Sequence, residues 1–419
     1  MDPIFRNDAI VLGLLLVVLA SIFVTASSER PFWKKFYRFV PPLLLCYFIP
    51  GLMHWPLGLI SSDVSKLYEV ASRYLLPASL ILLCISIDFK GIMKLGPKAL
   101  IMFGTATLSI VLGGPIALLV VMYLFPGLIQ ADVDELWRGL STIAGSWIGG
   151  GANQTAMKEI FEVNEKIFGS MVLVDVIVAN IWMGFLLYGA NVATKIDKWL
   201  KADSSAIDSL RKSVEDYSAS VQRQPSTTDL FVLMAVAFGG VGLAHWGTDW
   251  ITPFMGRYTD LLVQWKLNSL LSGFFWLIVI ATTIGLGLSF TKARGLEGIG
   301  ASKWGSVFIY LLVATIGMGM NIGEVFSNLG LFAVGLIWML IHVLLLLFVA
   351  WRIKAPFFFV AVGSQANVGG AASAPIVASA FSPSLAPVGA LMAVLGYALG
   401  TYGGIVCALL MQWVATGMG

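Results

Sequence analysis

Hydrophobic length constrains this chain more than any other feature. A helix that crosses a bilayer needs roughly 20 mostly apolar residues, and the sequence holds about ten such runs. They fall at about 8–26, 40–60, 70–88, 98–124, 168–193, 229–249, 267–290, 304–321, 327–351 and 386–414. In hydrocarbon every backbone N–H and C=O must pair inside the protein, so runs of this length are read as helices. Composition agrees: 58% of residues are hydrophobic and 12% charged, with a mean hydropathy of +0.87. Those values lie outside the soluble range. The class expected is an all-α membrane protein with the lipid bilayer as its surroundings. A net charge of +3 is too small to suggest nucleic acid. Cys46, Cys84 and Cys407 lie in apolar runs and read as small buried hydrophobes. His54, His245 and His342 have no metal-ligand spacing, so no cofactor and no metal beyond sodium is expected. The first run follows Arg6 alone and reads as a span rather than a cleaved leader.

Two stretches depart from this pattern. The first is Gly145-Ser146-Trp147-Ile148-Gly149-Gly150-Gly151-Ala152-Asn153-Gln154-Thr155. The second is Gly363-Ser364-Gln365-Ala366-Asn367-Val368-Gly369-Gly370-Ala371-Ala372-Ser373. Glycine weakens a helix, and unwound backbone at membrane depth survives only inside protein or beside a water-filled cavity. Two matching interruptions, one in each half, point to a transporter binding site. Close packing through small residues is the alternative, but it does not need the amides of Asn153, Gln154, Gln365 and Asn367.

The positive-inside rule decides how these segments sit. If 137–160 and 356–381 both turn back as re-entrant hairpins, the basic loops gather on one side. If both cross, the bias reverses. The hairpin reading leaves five crossings per half, so the second half starts on the opposite side from the first. The expected fold is therefore two inverted repeats, each of five transmembrane helices plus one glycine-rich hairpin. The repeats are expected at 1–194 and 229–419, joined by a polar cytoplasmic linker at 195–228, with both termini outside the cytoplasm. The hairpins then enter from opposite faces and their tips can meet near the midplane.

Asp175 lies near the middle of a span. A carboxylate at that depth is a functional hypothesis by default. It reads as a cation ligand or proton carrier, with Asn180 five residues on, Ser170 five residues back, and Asn153 and Asn367 as further ion ligands. A hydrogen-bonded structural acid is the alternative. Ser146, Gly150, Gly151, Asn153, Gln154, Thr155, Ser364, Gln365, Asn367, Gly369, Gly370 and Ser373 at the tips, with Tyr397 and Thr401, are the expected substrate contacts. Thr315, Asn321 and Tyr402 lie at comparable depths. Asp88 beside Lys90 reads equally as a loop-edge ion pair or a site residue. Trp147 reads as a cavity wall or a lipid-interface aromatic. No zinc-protease motif, serine elbow or phosphate loop occurs, so enzymatic activity is not expected and neither is a nucleotide-driven pump.

At the two glycine motifs the chain resembles the YjcL-like family of bacterial membrane proteins, catalogued as a domain of unknown function. The matching residues run Gly149 to Glu159 and Ser364 to Ala372. The resemblance covers most of the chain and implies a bacterial inner-membrane location. A more distant similarity is to the sodium/glutamate and sodium/citrate symporters, at Gly149–Gly151 and Val368–Gly370. That likeness implies sodium coupling, an anionic substrate and an elevator-type fold; the tips here depart from it in their Asn-Gln character, so the substrate itself does not carry over. The expectation is an ion-coupled secondary transporter of a small metabolite, such as an amino acid, short peptide or dicarboxylate, assembled as a homodimer. A proton-coupled carrier, or a channel or sensor without coupled transport, is the alternative.

Overall fold

The structure, a computed structural model, describes residues 3–37, 40, 42–87, 93, 95–125, 127, 132–202, 224–264, 268–319, 330–382 and 385–417. The described residues are helical and contain no strand. Fourteen helices carry the argument. The first seven are α1 Asp8–Ala26, α2 Pro42–His54, α3 Leu67–Ile85, α4 Pro97–Leu124, α5 Val133–Gly149, α6 Gly151–Ile160 and α7 Glu165–Asn191. The second seven are α8 Thr227–Gly256, α9 Gly273–Ser289, α10 Ala301–Gly317, α11 Gly330–Ile353, α12 Phe357–Val368, α13 Gly370–Phe381 and α14 Ala386–Gly417.

Seven of the described helices are long and apolar enough to cross a membrane: α1, α3, α4, α7, α8, α11 and most of α14. The other three expected spans are helices too, but shorter. The 40–60 run forms 13 residues of helix, with Pro50 inside it. The 304–321 run forms the 17 residues of α10. The 267–290 run forms α9, followed by a 3-10 helix, Lys292–Ile299, bent from it by 95°. The polar linker is helical at Ala193–Leu200, and its residues 203–223 lie outside those described.

The two sets of seven pack in matching ways. α1 lies on α2 and α10, as α8 lies on α9 and α3. α4 lies on α14, as α11 lies on α7. α5 lies on α7 and α14, as α12 lies on α14 and α7. Each of α3, α4 and α5 also touches its own counterpart, α10, α11 and α12. Two groups result. One holds α1–α3 with α8–α10; the other holds α4–α7 with α11–α14. The groups meet chiefly where α6 and α14 lie against α3 and α9.

Helix starts follow ordinary capping chemistry. Asn7, Asp132 and Asn164 each accept a backbone N–H from the first turn that follows. Ser226 and Asp229 form a reciprocal capping box at the start of α8. α1 and α8 bury few residues and leave large apolar side chains outward, among them Phe231, Trp246, Trp250 and Phe254. In a soluble protein that face would be a liability; against lipid it costs nothing.

Candidate functional site

The glycine-rich stretches are not unwound. α5 runs to Gly149 and α6 starts at Gly151, so only Gly150 interrupts the first hairpin, at φ +76°. Gly369 and Gly370 turn the second, Gly370 at φ +57°. Both left-handed positions favour glycine, which has no Cβ to clash. The hairpins meet at these turns: a Cβ built on Gly370 would lie 3.8 Å from the Gly150 Cα. Behind the first tip, α14 comes equally close. A Cβ on Gly400 would lie 2.6 Å from the Gly149 Cα. Here glycine serves close approach of helices rather than loss of helix.

Asp175 is buried on α7 and receives three donors, all from the first hairpin. Ser146 Oγ donates to Oδ2 at 2.6 Å, Trp147 Nε1 to Oδ1 at 2.7 Å and Gln154 Nε2 to Oδ2 at 2.9 Å. Both arms of the hairpin are thus tied to one carboxylate. Hydrogen bonds to an ionised acceptor are the stronger kind, so Asp175 seats the hairpin whatever else it does. Trp147 is fully buried, and its ring lies 5.2 Å from that of Trp338. It is therefore no lipid-interface aromatic; the donor bond to Asp175 draws it inside.

The two asparagines hold the hairpins to neighbouring helices in parallel fashion. Asn153 Nδ2 donates to the carbonyls of Gly149 (3.1 Å) and Tyr397 (3.0 Å), and its Oδ1 accepts from Thr401 at 2.6 Å. Asn367 Nδ2 donates to Gly363 O at 2.9 Å, and its Oδ1 accepts from Thr107 at 2.8 Å. Each amide is satisfied in the same way, one by α14 and one by α4. Replacing Thr401 or Thr107 by Val removes the donor and leaves a buried amide oxygen unpaired. We expect each change to lower stability by about 1–2 kcal/mol, measured as unfolding of the purified protein in detergent.

Ser364 belongs to a buried chain. It accepts from Trp182 Nε1 at 2.8 Å and lies 2.7 Å from His342 Nε2, whose Nδ1 lies 2.6 Å from Ser109. Ser109 donates to Ala106 O, so it accepts from Nδ1, and Nε2 accepts from Ser364. Gln365 Nε2 donates to Ser373 Oγ at 2.7 Å. The carbonyl oxygens of Gln365 and Gln154 are buried without a donor, one on each hairpin. The Tyr47 hydroxyl on α2 is likewise buried without a hydrogen-bond partner. Thr155 itself donates to Gly151 O at 2.8 Å.

Other expected residues make further contacts. Asn180 donates only along its own helix, to Val176 O at 2.7 Å, and does not join Asp175. Ser170 and Thr315 also bond within their helices. Tyr402 meets the Thr283 hydroxyl at 2.7 Å, and Thr401 lies 3.2 Å from Thr282, so both link α14 to α9. Asp88 and Asn321 lie outside the described residues.

Sequence reading missed Thr107, Ser109, Trp182 and His342; a lone histidine inside an apolar run was the available signal. It also missed Asp197, which accepts the Phe357 N–H at 2.7 Å and so caps the second hairpin from the linker side. Burial raises the Asp197 carboxyl above its usual range, and that N–H opposes the shift.

At the open base of the first hairpin lies a charged cluster. Lys158 is buried and donates to Tyr68 Oη at 2.8 Å, with Glu159 at 3.3 Å and Glu165 at 3.0 Å. Beside it is a cavity of about 500 Å³ between α3, α8, α9 and residues 158–163. None of the tip residues lines it.

A family model described as a protein of unknown function, DUF819, matches residues 13–414. The chain belongs to the DUF819 family. It is also 24% identical over 357 residues to the "Uncharacterized membrane protein YjcL" of Bacillus subtilis (strain 168). That alignment covers 81% of this chain and 82% of the relative. The YjcL-like resemblance seen at the glycine motifs therefore extends across the chain. With seven long apolar helices among its described residues, this DUF819 protein is a multi-pass membrane protein.

Proposed function

We propose that this DUF819 protein is an ion-coupled secondary transporter of a small polar or anionic metabolite. The observation that carries the reading is the contact of the two glycine tips, Gly150 against Gly370, within a helical membrane protein. Broken elements that meet from two halves of a chain are how many carriers build a central site. The unpaired carbonyl oxygens of Gln154 and Gln365 support it. Buried polar atoms normally have partners, and an ordered exception asks for an ion, water or ligand. Oxygen donors suit a hard cation, and sodium is the ion we assign, with Asp175 as the nearby charge.

The matching packing of α1–α7 and α8–α14 supports inverted repeats at 1–194 and 229–419, joined by the 195–228 linker. In this reading α4–α7 with α11–α14 move as one body in an elevator-type step. The group α1–α3 with α8–α10 stays fixed and supplies a homodimer interface. We place the protein in the bacterial cytoplasmic membrane with both termini outside the cytoplasm, and assign it no enzymatic activity.

The test is uptake into proteoliposomes. Labelled amino acids, dipeptides and dicarboxylates are offered with an inward sodium gradient, a proton gradient or neither. Accumulation that needs the sodium gradient is the expected result. Accumulation that follows only the proton gradient removes the sodium assignment. Equilibration indifferent to both removes coupling.

A further inference from the structure

The cavity at the base of the first hairpin is bounded by two charges that do not pair with each other. On one wall is Arg73 of α3; on another is Glu162, just past α6. Neither takes part in an ion pair among the described residues. Arg73 is positioned rather than loose. Its guanidinium lies over the Phe274 ring at 4.6 Å, and its backbone carbonyl lies 3.1 Å from His245 Nε2. Lys158, the other cation at the cavity, is already shared between Glu159, Glu165 and Tyr68. Its charge is therefore neutralised inside the wall.

The backbone is irregular at both charged residues. Arg73 is the central residue of a π-helical turn, Ala71–Leu75, inside an otherwise α-helical span. Such turns mark functional positions more often than chance. Glu162 has φ +51°, a conformation that costs a non-glycine residue energy. Both residues, of opposite charge, line the same cavity.

We infer that this cavity is a binding site for a small zwitterion, a free amino acid or short peptide, with Arg73 taking the carboxylate and Glu162 the ammonium. Arginine's planar fork suits a carboxylate through two parallel hydrogen bonds. A purely anionic ligand would leave Glu162 unpaired and bring like charge to Glu159. A purely cationic ligand would leave Arg73 unpaired. A zwitterion satisfies both, and the volume falls within the usual range for small-ligand sites. The cavity is lined by residues of α6 and the turn after it on one side and of α3, α8 and α9 on the other, so it spans the boundary between the two helix groups. Its role as a capture site for the transported solute rests on the transporter reading; its ligand class does not.

The test uses the full-length protein in detergent. Melting temperature and titration calorimetry are recorded with free amino acids, glycyl dipeptides, their C-amidated and N-acetylated forms, and succinate. At least one zwitterion should raise the melting temperature by mass action, and amidation or acetylation should each weaken its binding about tenfold or more. Arg73→Gln should bind the free and amidated forms alike. Glu162→Gln should bind the free and acetylated forms alike. Unliganded melting of each variant confirms that it folds. No stabilisation by any zwitterion, equal or tighter binding of succinate, or full discrimination kept by both variants overturns the inference. Uptake separates this from the transporter reading. Zwitterion binding without uptake of any solute sinks transport and leaves the site. Gradient-driven uptake of a dicarboxylate without zwitterion binding does the reverse.

Discussion

Asp175→Ala should unseat the first hairpin and abolish uptake. The carboxylate accepts from Ser146, Trp147 and Gln154 at 2.6–2.9 Å, all within protein. Alanine leaves these donors buried without an acceptor and opens a small void. At about 1 kcal/mol for each donor bond, the loss should be about 2–4 kcal/mol. Asp175→Asn should cost less but still destabilise. An amide offers one acceptor oxygen, and its NH₂ faces groups that themselves donate. Measuring the unfolding of wild type and both variants, with and without sodium, separates two roles. A tether alone predicts the same loss in both buffers. A carboxylate that also holds sodium predicts a larger loss in sodium, because the variant forfeits stabilisation by the bound ion. An Asp175→Ala protein that melts like wild type and still transports would show that the three donors do not hold the hairpin.

Gly400→Ala should strongly destabilise the contact between α14 and the first hairpin. An added Cβ would lie 2.5 Å from Asn153 Nδ2, 2.6 Å from the Gly149 Cα and 2.7 Å from Asn153 Cγ. The second obstacle is backbone, so side-chain rotation alone does not relieve the contact. The tip of the first hairpin must shift away from α14, taking with it the bonds of Asn153 to Tyr397 and Thr401. Overpacking of this kind costs about 1–3 kcal/mol, sometimes more, and the upper end is expected here. Gly104→Ala is the matched control. It lies in α4 with nothing within 4 Å of the added methyl, so helix propensity alone applies. It should be neutral or slightly stabilising. Thermal unfolding and proteoliposome uptake of both variants check the contrast. Wild-type uptake by Gly400→Ala would show that the tip is not held in register by this contact.

The relation between sequence and fold is clearest at the hairpins. The glycine-rich runs were legible as two matched interruptions. In the structure they are helical up to the turns at Gly150 and Gly369–Gly370, because glycine has two uses. Gly150 and Gly370 need φ above zero, whereas Gly149 and Gly400 lie in helices and need only the absence of a side chain. Composition does not distinguish these uses. Asn153 and Asn367 stand out in apolar runs, and each is satisfied by a threonine from a distant helix. Thr107 carried no local signal, since a hydroxyl inside a span ordinarily bonds back along its own helix.

Three links were decided by tertiary structure alone. Asp175 faces its donors across 21–29 residues of chain. Ser364 reaches Trp182 across 182. Arg73 and Glu162 come to one cavity from different helix groups. By itself the sequence determined the class: apolar runs of that length can satisfy their backbone in a bilayer only as helices. It also located the two hairpins, since glycine and amides stand out against such runs. It could not determine which amides are tethers and which oxygens stay unpaired. Helical periodicity orders neighbours three and four residues apart, while partners across the bundle are set by how whole helices pack.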